Sequence, residues 1–216
     1  MKLRWIKTHK FIKLLFPTYV WDIPNKKNTV FLTFDDGPTP EITEWTLSLL
    51  KKYNAKATFF CIGDNIKKFP QVFEKIYLDN HAIGNHTFNH LKGWKTNSSQ
   101  YAENTKKCED EIIKYTPEIY TQQSMLFRPP YGKISIHQSW KLKKLGFKII
   151  MWDIISYDFD SNISGEQCLE HVLKNVKSGS IIVFHDSVKA FKNLKIALPE
   201  TLRVLSEKGF VFDKIK

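Results

Sequence analysis

Seven apolar runs rich in β-branched and aromatic residues punctuate the chain. They are TVFLTF (29–34), ATFFCI (57–62), AIGNH (82–86), LFRPP (126–130), KIIMWDI (148–154), SIIVFH (180–185) and FVFDKI (210–215). Helical stretches separate them. After Thr39, Pro40 suits the first position of a helix, and Ile42, Trp45, Leu49 and Tyr53 recur at helical spacing as its buried face. Further helices are expected over FPQVFEKIYLDN, from about Ser99 to Tyr115, and over IHQSWKLKKLG, GEQCLEHVLKNVKSG and LKIALPETLRVLSEKG. Several close on Gly or Asn, as helix C-termini do. Strands alternating with helices dictate a parallel sheet with right-handed crossovers. Strands apolar on both faces place that sheet inside a barrel or a doubly wound layer. The chain has 216 residues and shows no repeat or linker, so one domain is expected.

In such folds chemistry sits at the C-terminal ends of the strands. The sequence meets that demand repeatedly: Asp35 and Asp36 follow TVFLTF, His86 and His90 follow AIGN, and Arg128, Pro129, Pro130, Tyr131 and Gly132 follow LF. Asp153 and Asp158 follow IIMW, and His185 and Asp186 follow IIVF. One such residue is readily a cap or a satisfied polar group; the joint pattern is not.

In HTFNH, two histidines four apart share one face of a helical turn, the spacing that grips one metal ion. With an Asp from another strand end they make an Asp-His-His site whose remaining positions stay open, as catalytic sites require. One divalent ion is expected, Zn²⁺ first, with Co²⁺, Ni²⁺ and Mn²⁺ compatible. Hydrolysis also needs a base and an acid. The two adjacent aspartates can supply one ligand and one base, and His185 from across the mouth can supply the acid. Arg128 can hold the base carboxylate ionised, and a backbone N–H in the turn after Pro130 can face a developing oxyanion.

The ordered set TFDDGP, HTFNH, RPPYG, WDIISYDF and IIVFHD resembles the NodB-type polysaccharide deacetylases, carbohydrate esterase family 4, over roughly Val30 to Ile215. The resemblance implies a single-domain α/β fold, a distorted (β/α) barrel of about seven parallel strands. It makes Asp35 the general base, Asp36, His86 and His90 the metal ligands, and Arg128 the residue that tunes Asp35. The Tyr131 backbone N–H joins oxyanion stabilisation, and Asp158 orients His185, which protonates the leaving amine. Two positions depart from the family pattern: Phe159 stands for a Trp and Val183 for a Leu. Both would line the acetyl pocket beside Pro130 and reshape it. Trp94 is either a sugar-stacking aromatic or a loop-packing residue, and Asp153 is read as a strand-end polar residue.

The implied reaction removes N-acetyl groups from amino sugars of a peptidoglycan- or chitin-like glycan. One alternative acts on a formylated or acetylated lipid-linked amino sugar at the membrane. A non-catalytic glycan-binding relative is the other, and the joint presence of base, ligands, Arg128 and His185 argues against it. The net charge of +11 comes with no recognition helix, zinc-finger spacing or RNA-binding aromatic signature, so nucleic acid is not an expected partner. No protein partner is implied. Cys61, Cys108 and Cys168 show neither metal spacing nor a disulfide framework and read as reduced thiols.

Residues 1–28 read as a basic, aromatic docking segment ahead of a catalytic domain at 29–216. Lys2, Arg4, Lys7, Lys10 and Lys13 interleave with Trp5, Ile6, Phe11, Ile12, Leu14 and Leu15, and no acid occurs before Asp22. The pattern suits a basic amphipathic helix on a membrane surface or an arm packed on the domain's own core. Pro17 and the following TYVW favour the arm. No cleavage site follows FIKLLF and no run is long enough to span a bilayer. The expected location is cytoplasmic or peripheral to the inner membrane.

Overall fold

A curved, all-parallel sheet of eight strands organises the computed structural model, which describes residues 4–25, 27–116 and 125–216. Lys2 of the basic N-terminal pattern lies outside the described residues. The strands are β1 (Thr29–Asp35), β2 (Ala57–Cys61), β3 (Ala82–Asn85), β4 (Leu126–Phe127), β5 (Lys148–Ile149), β6 (Ile154–Ile155), β7 (Ile181–His185) and β8 (Val211–Phe212). Across the sheet they run β5-β4-β3-β2-β1-β7-β6, with β8 beside the start of β1. Register matters for the site. Asp35 lies level with Phe60 on one side and His185 on the other.

Strand alternation divides the core. Val30, Leu32 and Phe34 of β1 face outward into the main hydrophobic cluster beneath the helices. Phe31 faces inward with Phe60, Ala82, Leu126, Ile150 and Ile181. Thr33 and Asp35 follow Phe31 on the inner side. Thus β1 delivers a polar interior column that ends at the barrel mouth.

The expected single strand over 148–154 is split into β5 and β6, because residues 150–153 pair with the N-terminal segment. Val20 donates to Ile149 O and accepts from Met151 N, while Thr8 donates to Asp153 O and Ile155 to Ile6 O. The segment therefore fills the gap between the two ends of the sheet. Its short helix α1 (Lys10–Leu15) turns Lys13 inward, 2.6 Å from the buried Asp153 and paired also with Asp22. Burial would lower the Lys13 pKa, but these two carboxylates outweigh it and raise it. Asp153 is thus a buried anchor rather than a simple strand-end group, and Arg4 adds a 2.8 Å pair with Asp160.

Helices α2 (Ile42–Lys52), α3 (Gly63–Lys68), α4 (Pro70–Leu78), α5 (Ser98–Tyr115), α6 (Ile136–Lys144), α7 (Gly165–Leu173) and α8 (Val188–Glu207) cover the sheet. α2 starts later than Pro40 predicts, because Glu41 takes φ 66° and donates its N–H to Glu44. Its buried face is Ile42, Thr43, Thr46, Leu47 and Leu50, and Trp45 and Leu49 are half-buried at its flank. α7 stops at Leu173 rather than running to Gly179, and α8 begins at Val188, ahead of Leu194.

Candidate active site

The inward column of β1 meets Arg128, which is fully buried. Its Nη1 donates to Asp35 Oδ1 and Thr33 Oγ1, each at 2.7 Å. Nη2 donates to Met151 O at 2.9 Å, Nε to Ile150 O at 3.3 Å, and the plane lies 4.1 Å from the Phe60 ring centre. A planar, forked donor suits this geometry where a point cation would not. Burial pulls the Arg128 pKa down, and Asp35 pushes it back. Each charge compensates the other in an interior where neither alone is tolerated.

Asp36 leaves the strand at φ 80°, so its side chain departs from the alternation that buries Asp35. Asn65 holds the Asp36 carbonyl at 2.8 Å. Asp186 braces the next residue: its Oδ1 accepts the Gly37 N–H at 3.1 Å and its Oδ2 accepts the Thr43 hydroxyl at 2.5 Å. A Cβ at position 37 would stand 2.1 Å from that carboxylate, which is why the turn after the acid pair needs glycine. Burial pushes Asp186 up to about 7. The motif containing Asp186 is legible in the sequence, but its role as a brace for the opposite loop is not.

His86 and His90 are not on a helical turn, contrary to the spacing argument. His86 follows β3 directly, and the chain then passes through left-handed φ values of 64° at Thr87 and 53° at His90. α5 imposes this path. Asn104 Oδ1 accepts the Phe88 and Asn89 N–H groups, and its Nδ2 donates to Asn89 Oδ1. Asn85 Oδ1 accepts the Thr87 N–H, while its amide donates to Thr105 O and Glu109. Burial lifts Glu109 to about 7.

The loop nevertheless brings both imidazoles to Asp36. His90 Nε2 is 3.2 Å and His86 Nε2 3.7 Å from Asp36 Oδ1, and the potential ligand atoms lie within 4.8 Å of one another. His86 Nδ1 lies 2.7 Å from the Arg128 carbonyl. A carbonyl only accepts, so Nδ1 carries the proton and the Nε2 lone pair faces inward. Burial lowers the His86 pKa, and burial with His86 nearby takes His90 to about 4, so both are neutral near pH 7. Burial alone would raise Asp36, but His185 and the two imidazoles outweigh it and hold it low. Acceptor atoms converging on one point fit a divalent cation, and two nitrogens with one carboxylate form a metal-ligand set. The ion's identity is not fixed by these three side chains.

Level with Asp35 across the β1–β7 pair, His185 Nδ1 is 2.7 Å from Asp158 Oδ1, and its backbone N–H donates to Asp158 Oδ2 at 2.8 Å. Burial would lower its pKa, but Asp158, Asp36 and Asp35 together lift it to about 9. Ser156 also donates to Asp158. Phe159 stacks edge-on against His185 at 4.8 Å between ring centres. Val183 is buried two residues earlier on β7, on the same side as His185 by alternation.

Pro130 is buried, and Tyr131 takes φ 60° with its ring 4.6 Å from that of His90. Among the described residues no acceptor takes the Tyr131 N–H. Trp152 packs directly on Gly132, a support for the RPPYG turn that its sequence position does not reveal. Trp94 ties its indole N–H to Ile134 O at 3.2 Å and leaves its ring exposed under Lys133. A groove continues from Asp36 and His90 along Pro38, Trp45, Phe69 and Phe191.

The polysaccharide deacetylase family model matches residues 22–150. The peptidoglycan-N-acetylglucosamine deacetylase of Bacillus cereus is 37% identical over 205 residues, with 93% of each chain covered. The chitooligosaccharide deacetylase of Azorhizobium caulinodans is 32% identical over 167 residues, 76% of each. A crystal structure of a peptidoglycan N-acetylglucosamine deacetylase superposes with a TM-score of 0.86 at 32% identity, covering 95% of this chain and 94% of that one.

Proposed function

This chain belongs to the polysaccharide deacetylase family, and we propose that it hydrolyses the N-acetyl group of amino sugars in a peptidoglycan- or chitin-like glycan, releasing acetate. The observation that carries the reading is the convergence of three metal-ligand atoms, a buried Asp–Arg pair and a His–Asp pair on one barrel mouth. Asp36, His86 and His90 would hold the ion, for which Zn²⁺ suits two imidazoles and a carboxylate; Co²⁺, Ni²⁺ and Mn²⁺ share the ligand set. When bound, such an ion polarises a carbonyl oxygen and acidifies water.

The protein's own groups do the rest. Asp35 takes the proton of the attacking water, and Arg128 fixes the carboxylate that receives it. The Tyr131 N–H, which no acceptor takes among the described residues, would stabilise the negative charge that develops on the carbonyl oxygen. His185, protonated at neutral pH and held by Asp158, gives its proton to the departing amine. Phe159, Val183 and Pro130 wall the acetyl group. Trp94 offers a face to a neighbouring sugar.

The test is an acyl-release assay over a panel of chito-oligosaccharides, peptidoglycan fragments, acetylated xylan and a polyprenyl-linked amino sugar. Acetate from the first or second substrate, lost with a chelator and restored by Zn²⁺ or Co²⁺, is the expected result. Formate released only from the lipid-linked sugar would replace the substrate assignment, and no acyl release at all would remove the enzymatic one.

A further inference from the structure

Among the described residues, most of the large exposed apolar side chains that lie away from the barrel mouth sit in two segments. Trp5, Phe11, Leu14 and Leu15 belong to the N-terminal segment, and Trp140 and Leu145 to α6 and its end. Each is between 50% and 75% exposed. On α1, Ile12 and Lys13 turn inward while Lys10, Phe11, Leu14 and Leu15 turn out together, a spacing that gathers them on one side. On α6, Gln138, Ser139 and Leu142 are buried, and Ile136, Trp140 and Lys144 form the outward stripe. The two elements are joined. Lys143 bonds Thr18, lies over the Tyr19 ring, and so fastens the loop after α1 to the last turn of α6.

The charge on these segments has one sign. Residues 4–21 and 125–152 contain no Asp or Glu. Lys13 and Lys7 are spent on Asp153. Among the described residues Lys10 and Lys144 have no acidic partner, and Lys144 rests 3.6 Å above the exposed Trp140 ring. A Trp and several leucines interleaved with unpaired lysines match the interface of an anionic bilayer: rings and aliphatic chains enter the acyl boundary, and ammonium groups meet the phosphates. A neutral partner leaves those cations unanswered.

We infer that the joined outer faces of α1 and α6 form a docking surface for an anionic lipid membrane. Among the described residues no helix is long and apolar enough to cross a bilayer, so the contact is peripheral. It leaves the deacetylase chemistry untouched, because none of these side chains belongs to the barrel mouth.

The experiment is co-sedimentation of the full chain with vesicles of equal parts phosphatidylcholine and phosphatidylglycerol, and with phosphatidylcholine alone. Binding is expected to the anionic vesicles only and to weaken as salt shortens the screening length. Phe11→Ser/Leu14→Ser/Leu15→Ser and Trp140→Ser/Leu145→Ser should each lose at least tenfold in partitioning. Lys10→Gln and Lys144→Gln should lose about fivefold apiece. All of these positions are exposed, so an unchanged thermal midpoint confirms folding. Absence of sedimentation at low salt would overturn the assignment, as would either serine variant binding like wild type. A concentration-dependent dimer that the serine variants abolish would assign the face to a second copy instead.

Discussion

Arg128 donates from all three of its guanidinium nitrogens, to Asp35, Thr33 and two carbonyls, and is itself fully buried. Arg128→Met would leave the Asp35 carboxylate buried without a counter-charge. The expected cost is about 3–5 kcal/mol, read as a lower denaturation midpoint, and a loss below about 1 kcal/mol would contradict the interior pairing. His185 gives a second residue-scale expectation. Its pKa of about 9 in the fold lies above the ordinary 6.5. Pairing with Asp158 therefore stabilises the fold fully below about 6.5, and the contribution fades as pH climbs through 9. In metal-free protein the stability gap between wild type and Asp158→Asn should narrow across that window; denaturant titrations at several pH values measure it, and a widening gap would reverse the sign.

At the scale of elements, the histidine loop depends on α5 more than on its own sequence. Asn104 fastens Phe88 and Asn89, and Asn85 spans from Thr87 to Glu109. Asn104→Ala should keep all three metal ligands yet weaken metal binding about tenfold or more, measured by chelator competition. Unchanged affinity would mean the loop holds itself. The same dependence separates what is local in the sequence from what is not. The strand ends at Asp35, Asn85 and His185 were legible because apolar runs and their polar termini are local. The i, i+4 spacing of His86 and His90 predicts a helical turn, because spacing alone carries no record of the left-handed φ imposed from α5. Likewise the 148–154 run looked like one strand, since nothing local says that residues from the N-terminus will pair along it.

For the whole molecule, alternation along β1 turns a linear motif into a division of labour. Asp35 points inward to Arg128, and Asp36 turns out at φ 80° toward His86 and His90. Ordered motifs and strand–helix alternation made the fold class and the cluster of site residues legible in advance. The braces behind them were not: Asp186 beneath Gly37, Thr33 beside Arg128 and Trp152 under Gly132 act across distances that sequence spacing does not encode. Asp35→Asn and Asp36→Ala, assayed together for bound metal and for acetate released from an N-acetylated oligosaccharide, test this division of labour most directly. Asp35→Asn should retain the ion and lose at least about a hundredfold in rate, and Asp36→Ala should lose the ion. Full acetate release by Asp35→Asn, or undiminished metal binding by Asp36→Ala, would contradict the assignment.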